Sequence, residues 1–251
     1  MKKDNYLWLL LVLTLVSGKI QAQKKWTKQS IIKGKPIALL NDVSFKQAEH
    51  NNAHAGSAFL LDTGNEIVGV TAKHVLFLAK TKAMNAVHFR GGLKKWAFHP
   101  KGDKTNPVIA QRLLNANADE KLDFGKIMHK DCLVFSLQTQ PTHIQVLKLR
   151  KTPLQANETV FVLGYPYADK SNAMHVYQGK FVKNKASNLL IRLEDTKIRL
   201  NGMSGGPVVD EQGRLVGVVS RRIKDETTGE VYFAPVSTDY LKTVLKTHKK
   251  I

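Results

Sequence analysis

The apolar positions come in short runs separated by Gly, Asn and Asp. Ser57-Ala58-Phe59-Leu60-Leu61 and Glu66-Ile67-Val68-Gly69-Val70 flank Asp62-Thr63-Gly64-Asn65, which is hairpin chemistry. Residues 86–89 and 95–98 flank Gly91-Gly92 and predict a second hairpin. Residues 133–137 and 159–163 are apolar strands, and residues 175–182 and 189–193 alternate around a turn at 183–188. Pro207-Val208-Val209 and residues 215–219 flank Asp210-Glu211-Gln212-Gly213, a third hairpin, and Val231-Tyr232-Phe233 is one more strand. Residues 101–121 are polar and irregular and read as a long connection. Helix signals gather at the end. Ser237 caps a helix over 238–247, with Asp239 in its first turn and Lys246, His248, Lys249 and Lys250 at its close, which suits the helix dipole. Many short strands with regular turns predict an all-β barrel or sandwich.

The first 22 residues break this pattern. Met1-Lys2-Lys3 is basic, residues 6–16 are apolar and uncharged, and Ser17-Gly18-Lys19-Ile20-Gln21-Ala22 is polar with a small last residue. That is the layout of a secretory signal peptide, cleaved after Ala22 or, as second choice, after Gly18. The apolar run is shorter than the ~20 residues a spanning helix needs, and a retained N-terminal anchor is the alternative. The chain that remains is expected not to span a membrane, and its length suits one all-β domain or two small ones sharing an interface.

Composition narrows the setting. The lone cysteine, Cys132, excludes an internal disulfide and sits in an apolar run, so it reads as a buried hydrophobe and not a nucleophile. An exported chain without disulfides points to a bacterial periplasm or exterior. The net charge is +19, and about +17 without residues 1–22. Such a field attracts anionic surfaces and acidic peptides. The charges are spread along the chain with no nucleic-acid motif, so no specific nucleic acid is expected. His50 and His54 lie four apart with no carboxylate or Cys cluster, so neither metal nor cofactor is expected.

Gly202-Met203-Ser204-Gly205-Gly206-Pro207 is the densest chemical signal. Glycines beside a serine permit a tight turn and close approach of a substrate backbone. The N–H groups of Gly202 and Ser204 can then aim at one oxyanion, where a lost donor costs ~3–4 kcal/mol. A serine nucleophile needs a histidine base and an orienting carboxylate. His74, in Thr71-Ala72-Lys73-His74, follows a strand and opens a short apolar turn, and Asp131 stands just before the strand 132–137, with Asp123 as the fallback acid. The same Gly-x-Ser-x-Gly spacing fits the nucleophile elbow of α/β-hydrolases, but Gly205-Gly206-Pro207 opposes the helix that elbow requires.

Taken together, the segments resemble the chymotrypsin-type, or trypsin-like, serine peptidases. Within them they resemble the bacterial disulfide-free branch typified by the Deg/high-temperature-requirement proteases and the glutamyl endopeptidases. Gly56-Ser57-Ala58-Phe59, Thr71-Ala72-Lys73-His74, Asp131-Cys132-Leu133-Val134, Gly164-Tyr165-Pro166, the Ser204 turn and residues 231–235 match the family's segments in its order. The resemblance implies two six-stranded antiparallel β-barrels, at about 30–138 and 150–236, with a C-terminal helix. It implies a secreted serine endopeptidase with His74 as base, Asp131 as orienting acid, Ser204 as nucleophile and an acyl-enzyme intermediate. The alternative is a catalytically silent trypsin-fold binding module with a basic surface. Met203 stands where animal trypsins carry Asp, so their salt-bridge activation is not expected. Only 47 residues follow Ser204, so PDZ domains like those of the Deg proteases are not expected. By family position Ile198, Arg199, Val219, Ser220 and Arg221 surround the pocket for the residue before the scissile bond. Arg199, with Arg221 or Arg222, is expected to select acidic side chains there by guanidinium–carboxylate pairing.

Overall fold

The structure, a computed structural model, describes residues 25–195 and 198–248, so the leader read in residues 1–22 lies outside it. The runs rich in β-branched and aromatic residues form strands. The first eight are β1 (Leu39–Phe45), β2 (Ser57–Asp62), β3 (Ile67–Thr71), β4 (Ala86–Val87), β5 (Leu93–His99), β6 (Val108–Leu113), β7 (Asn117–Lys121) and β8 (Leu133–Leu137). Then come β9 (Leu147–Leu149), β10 (Thr159–Gly164), β11 (His175–Lys185), β12 (Asn188–Leu193), β13 (Pro207–Asp210), β14 (Arg214–Lys224) and β15 (Val231–Ser237). Three α-helices are described, α1 (Lys28–Ile32), α2 (Phe124–Ile127) and α3 (Asp239–His248).

Six strands in the order β1-β5-β6-β8-β3-β2 close on themselves through β1–β2 pairing. Six more, β14-β13-β10-β11-β12-β15, close through β14–β15. Both barrels are antiparallel, as expected from the sequence. Strand β9 bridges them by parallel pairing with β2 on one side and β14 on the other. Closure leaves few open edges, which suits a fold with no disulfide to staple it.

Strand β2 explains why its sequence is apolar without alternation. Ala58 and Leu60 face the first barrel's interior, while Phe59 and Leu61 face a core shared between the barrels. That shared core takes Val70 and Val134 from the first barrel, Phe161, Leu163 and Val218 from the second, and Leu241, Val244 and Leu245 from α3. The first barrel's interior is aromatic. Trp96 and Phe98 pack on Phe135 with centroids 4.9 and 5.8 Å away, each such pair contributing ~0.5–1.5 kcal/mol beyond burial. Gly69 makes room for this stack, since a Cβ there would lie 2.5 Å from the Phe98 ring. The second barrel's interior is mostly aliphatic, with Val160, Val162, Ile191 and Val208.

Three sequence expectations need correction. The hairpin over 86–89 and 95–98 does not form: β4 pairs with β7, while β5 pairs with β1 and β6. Residues 101–121 hold β6 and β7, which present few buried side chains and so lack the alternation that signals a strand. The turn at 183–188 shrinks to Ala186-Ser187, with Ala186 at φ +50°. Helix α1, capped reciprocally by Thr27 and Ser30, carries only one buried apolar residue, Ile31, too little for a sequence signal. No helix among the described residues is long and apolar enough to cross a membrane.

Candidate active site

His74 stands in a 3-10 turn, Lys73–Phe77, immediately after β3. Asp131 closes the turn before β8, in an inverse γ conformation (φ −77°, ψ 64°) bridged by the Cys132 N–H to the Lys130 carbonyl at 2.8 Å. Because β3 and β8 are neighbours, the two side chains meet. His74 Nδ1 lies 2.7 Å from Asp131 Oδ2, and the His74 backbone N–H donates to Oδ1 at 2.9 Å. The Asp131 carboxylate is fully buried, and a third donor, the Ser220 hydroxyl, makes a short hydrogen bond to Oδ2. Buried carboxylate oxygens need such a set of donors to satisfy them. His74 keeps 13% of its side chain exposed. The fallback acid, Asp123, instead caps α2 by accepting from the Lys126 N–H. Cys132 is inert in this setting, because burial pushes its thiol up to about 12.

The Ser204 turn comes from the second barrel and leads directly into β13, not into a helix as an α/β-hydrolase elbow would. Gly202 and Gly205 hold φ of +96° and +86°, which glycine adopts without strain. Side chains would not fit there either. A Cβ on Gly205 would lie 2.1 Å from Thr71 Oγ1, and one on Gly202 2.7 Å from the Tyr165 carbonyl. The N–H groups of Met203, Gly205 and Gly206 donate to the carbonyls of Leu200, Val219 and Met203. Among the described residues those of Gly202 and Ser204 have no acceptor.

The first barrel also grips this turn. The Ser57 N–H donates to the Ser204 carbonyl at 2.7 Å, and its hydroxyl donates to the Gly202 carbonyl at 3.0 Å. Ser57 is itself fixed by Asn41, whose amide donates to the Ser57 carbonyl and to Thr71 Oγ1, both at 2.9 Å. Trp96 Nε1 donates to Asn41 Oδ1 and completes this buried network. Asn41 carries no sequence signal of its own, and Ser57, although part of the family-like segment Gly56-Ser57-Ala58-Phe59, gives no local sign of what its hydroxyl does.

A cleft of about 520 Å³ opens beside Ser204, and all five residues assigned to substrate from the sequence line it: Ile198, Arg199, Val219, Ser220 and Arg221. They do so in different ways. The Val219 and Ile198 side chains are buried, and Val219 packs in the second barrel's core. Ser220 both lines the cleft and donates to Asp131, so it links the two halves of the site. Arg221 donates to Asn188 Oδ1 and Arg222 to the Ile198 carbonyl, so both guanidiniums are engaged. Arg199 is exposed and, among the described residues, has no acceptor. No carboxylate lines the cleft among those residues.

Comparison with known proteins follows the same lines. No curated protein matches the chain. Its fold is similar to that of the Rv3671c protease from M. tuberculosis in its active form, at 14% identity and TM-score 0.53, covering 84% of this chain and 80% of that one. It is also similar to the serine endoprotease from Yersinia pestis, at 16% identity and TM-score 0.55, covering 90% of this chain and 67% of that one. The trypsin-like peptidase domain matches residues 56–218, a span that runs from the strand gripping Ser204 to the strand bearing Ser220's neighbours. With two closed barrels and that match over most of its described length, the chain belongs to the trypsin-like peptidase family.

Proposed function

We propose that the protein is an exported serine endopeptidase that cleaves through an acyl-enzyme, with Ser204 as nucleophile, His74 as base and Asp131 as its orienting acid. The observation that carries this reading is the His74–Asp131 contact at 2.7 Å, coupled through Ser220 to the cleft that holds Ser204. In the proposed reaction His74 takes the Ser204 hydroxyl proton as Oγ attacks the substrate carbonyl. Asp131 holds the proton on Nδ1, which leaves Nε2 as the accepting atom. The developing oxyanion receives the Gly202 and Ser204 N–H groups, which have no acceptor of their own among the described residues. His74 then returns the proton to the leaving amine, and water releases the acyl group by the same route.

The substrate is a polypeptide with an acidic residue before the scissile bond. Arg199, which has no acceptor among the described residues, supplies the guanidinium for that side chain, while Arg221 and Arg222 keep the cleft positive. The excess of basic residues favours acidic substrates at longer range. Export rests on the three-part pattern of residues 1–22, and a bacterial periplasm or exterior on the absence of disulfides. The test is cleavage of an unfolded protein followed by mass spectrometry of the fragments. Internal cuts after Glu or Asp are expected from the wild type and none from Ser204→Ala. Cuts confined to chain ends, or equal in both proteins, would contradict the reading.

A further inference from the structure

Tyr240, on α3, touches neither Ser204 nor the cleft, yet two ammonium groups converge on its ring. Lys73 Nζ lies 4.9 Å from the ring centroid and Lys130 Nζ 5.8 Å. Lys73 is the residue immediately before His74, and Lys130 the residue immediately before Asp131. The Tyr240 hydroxyl accepts from Asn115 Nδ2 at 3.4 Å. The same Asn115 amide holds the start of β8, donating to the Cys132 carbonyl and accepting from the Val134 N–H. Three contacts of one ring therefore reach both segments that present the His–Asp pair.

The energetics explain why this grip is firm. The Lys73 side chain is fully buried, and a buried cation is retained only where it is paired. Glu120 of β7 supplies the counter-charge at 2.7 Å, and the aromatic face supplies a second, weaker stabilisation. The residue that opens the 3-10 turn carrying His74, Ala72, makes no side-chain cap; the turn is tied instead by the His74 N–H to Asp131 Oδ1 and by the Lys73–Glu120 pair. Tyr240 is in turn held in place by Leu241, Val244 and Leu245 of α3, which are buried in the core between the barrels.

We propose that Tyr240 is a positioning residue that clamps the His74 and Asp131 segments together through Lys73 and Lys130. The proposal rests on the triad reading above. Its test is proton NMR of the ¹⁵N-histidine-labelled protein, following the strongly deshielded proton between His74 Nδ1 and Asp131, alongside steady-state kinetics on a peptide substrate. Tyr240→Phe keeps the ring and is expected to retain both the resonance and wild-type kcat. Tyr240→Leu is expected to broaden or lose the resonance and to lower kcat about tenfold with KM nearly unchanged, as small misplacements of reacting groups do. A folded Tyr240→Leu with the wild-type resonance and kcat would overturn the proposal. Where that variant does not fold, Lys130→Met, at an exposed position, decides: reduced kcat at constant KM supports the clamp, and unchanged kcat with an unchanged resonance overturns it. If the wild type hydrolyses no peptide, the peptidase reading fails and the resonance alone decides the clamp.

Discussion

The two barrels share strand number and closure but treat their polar groups differently. In the first, Asp131 takes three donors, His74 spends its backbone N–H and Nδ1 on it, and Asn41 ties Ser57, Thr71 and Trp96 into one network. In the second, the Gly202 and Ser204 N–H groups and the Arg199 guanidinium have no partner among the described residues. In the proposed mechanism the first of these is the fixed base, and the second supplies donors held ready for a ligand. Fixing the first costs nothing at the moment of reaction, because the order is already in the fold, and donors left open in the second are free for charge that develops only in the transition state.

The comparison can be broken most severely at its reacting atoms. His74→Ala and Ser204→Ala are each expected to lower kcat by about 10⁵–10⁶ while leaving the circular dichroism spectrum unchanged. Asp131→Asn is expected to cost about 10⁴ in kcat, because the amide favours the wrong imidazole tautomer. Retention of near-wild-type turnover in any of these would separate the fixed pair from catalysis. Gly205→Ala tests the contact between the barrels. Its Cβ would meet Thr71 Oγ1 and the Ser57 carbonyl at 2.1 and 2.3 Å, at φ +86°. A loss of about 3–5 kcal/mol in unfolding free energy is expected, and a urea midpoint equal to wild type would contradict the packing.

Two smaller effects sharpen the contrast. Arg199→Ala is expected to reduce selectivity for Glu over Gln before the scissile bond about tenfold, as loss of one exposed charge-assisted hydrogen bond would. Equal kcat/KM ratios in variant and wild type would remove Arg199 from specificity. His54 packs edge-on against Tyr167 at 4.5 Å. Burial, followed by Lys101 and His99, holds its imidazole below the usual histidine range, while the Tyr165 and Gly202 carbonyls act the other way. The native state therefore favours neutral His54, and the unfolded chain takes up a proton as pH falls through about 6.5. Its contribution is present above that pH and lost below it. Urea midpoints are expected to fall between pH 7 and 5, and to fall less in His54→Phe. An equal fall in both would show that other groups set the slope.

Much of this was legible in the sequence, and the exceptions have physical causes. The Ser204 turn could be read because its glycines are demanded by positive φ and by backbone contacts, so they leave a dense local pattern. His74 and Asp131 could be read because each stands at the end of a strongly apolar strand. Strands β6 and β7 were hidden because few of their side chains are buried. Ser220 read as a pocket residue, since nothing local shows that its hydroxyl reaches Asp131, 89 positions away. Asn41 and Glu120, and the role of the Ser57 hydroxyl, were invisible for the same reason: their partners are brought to them only by barrel closure and docking.

The central claim is that Ser204 is a nucleophile activated by the fixed His74–Asp131 pair. The most direct measurement is covalent labelling by a fluorophosphonate, read by intact mass and peptide mapping on wild type, Ser204→Ala and His74→Ala. A single adduct on Ser204 is expected in the wild type, with none in Ser204→Ala and much slower labelling in His74→Ala. A folded wild type that takes no label, or takes it at another residue, would contradict the account.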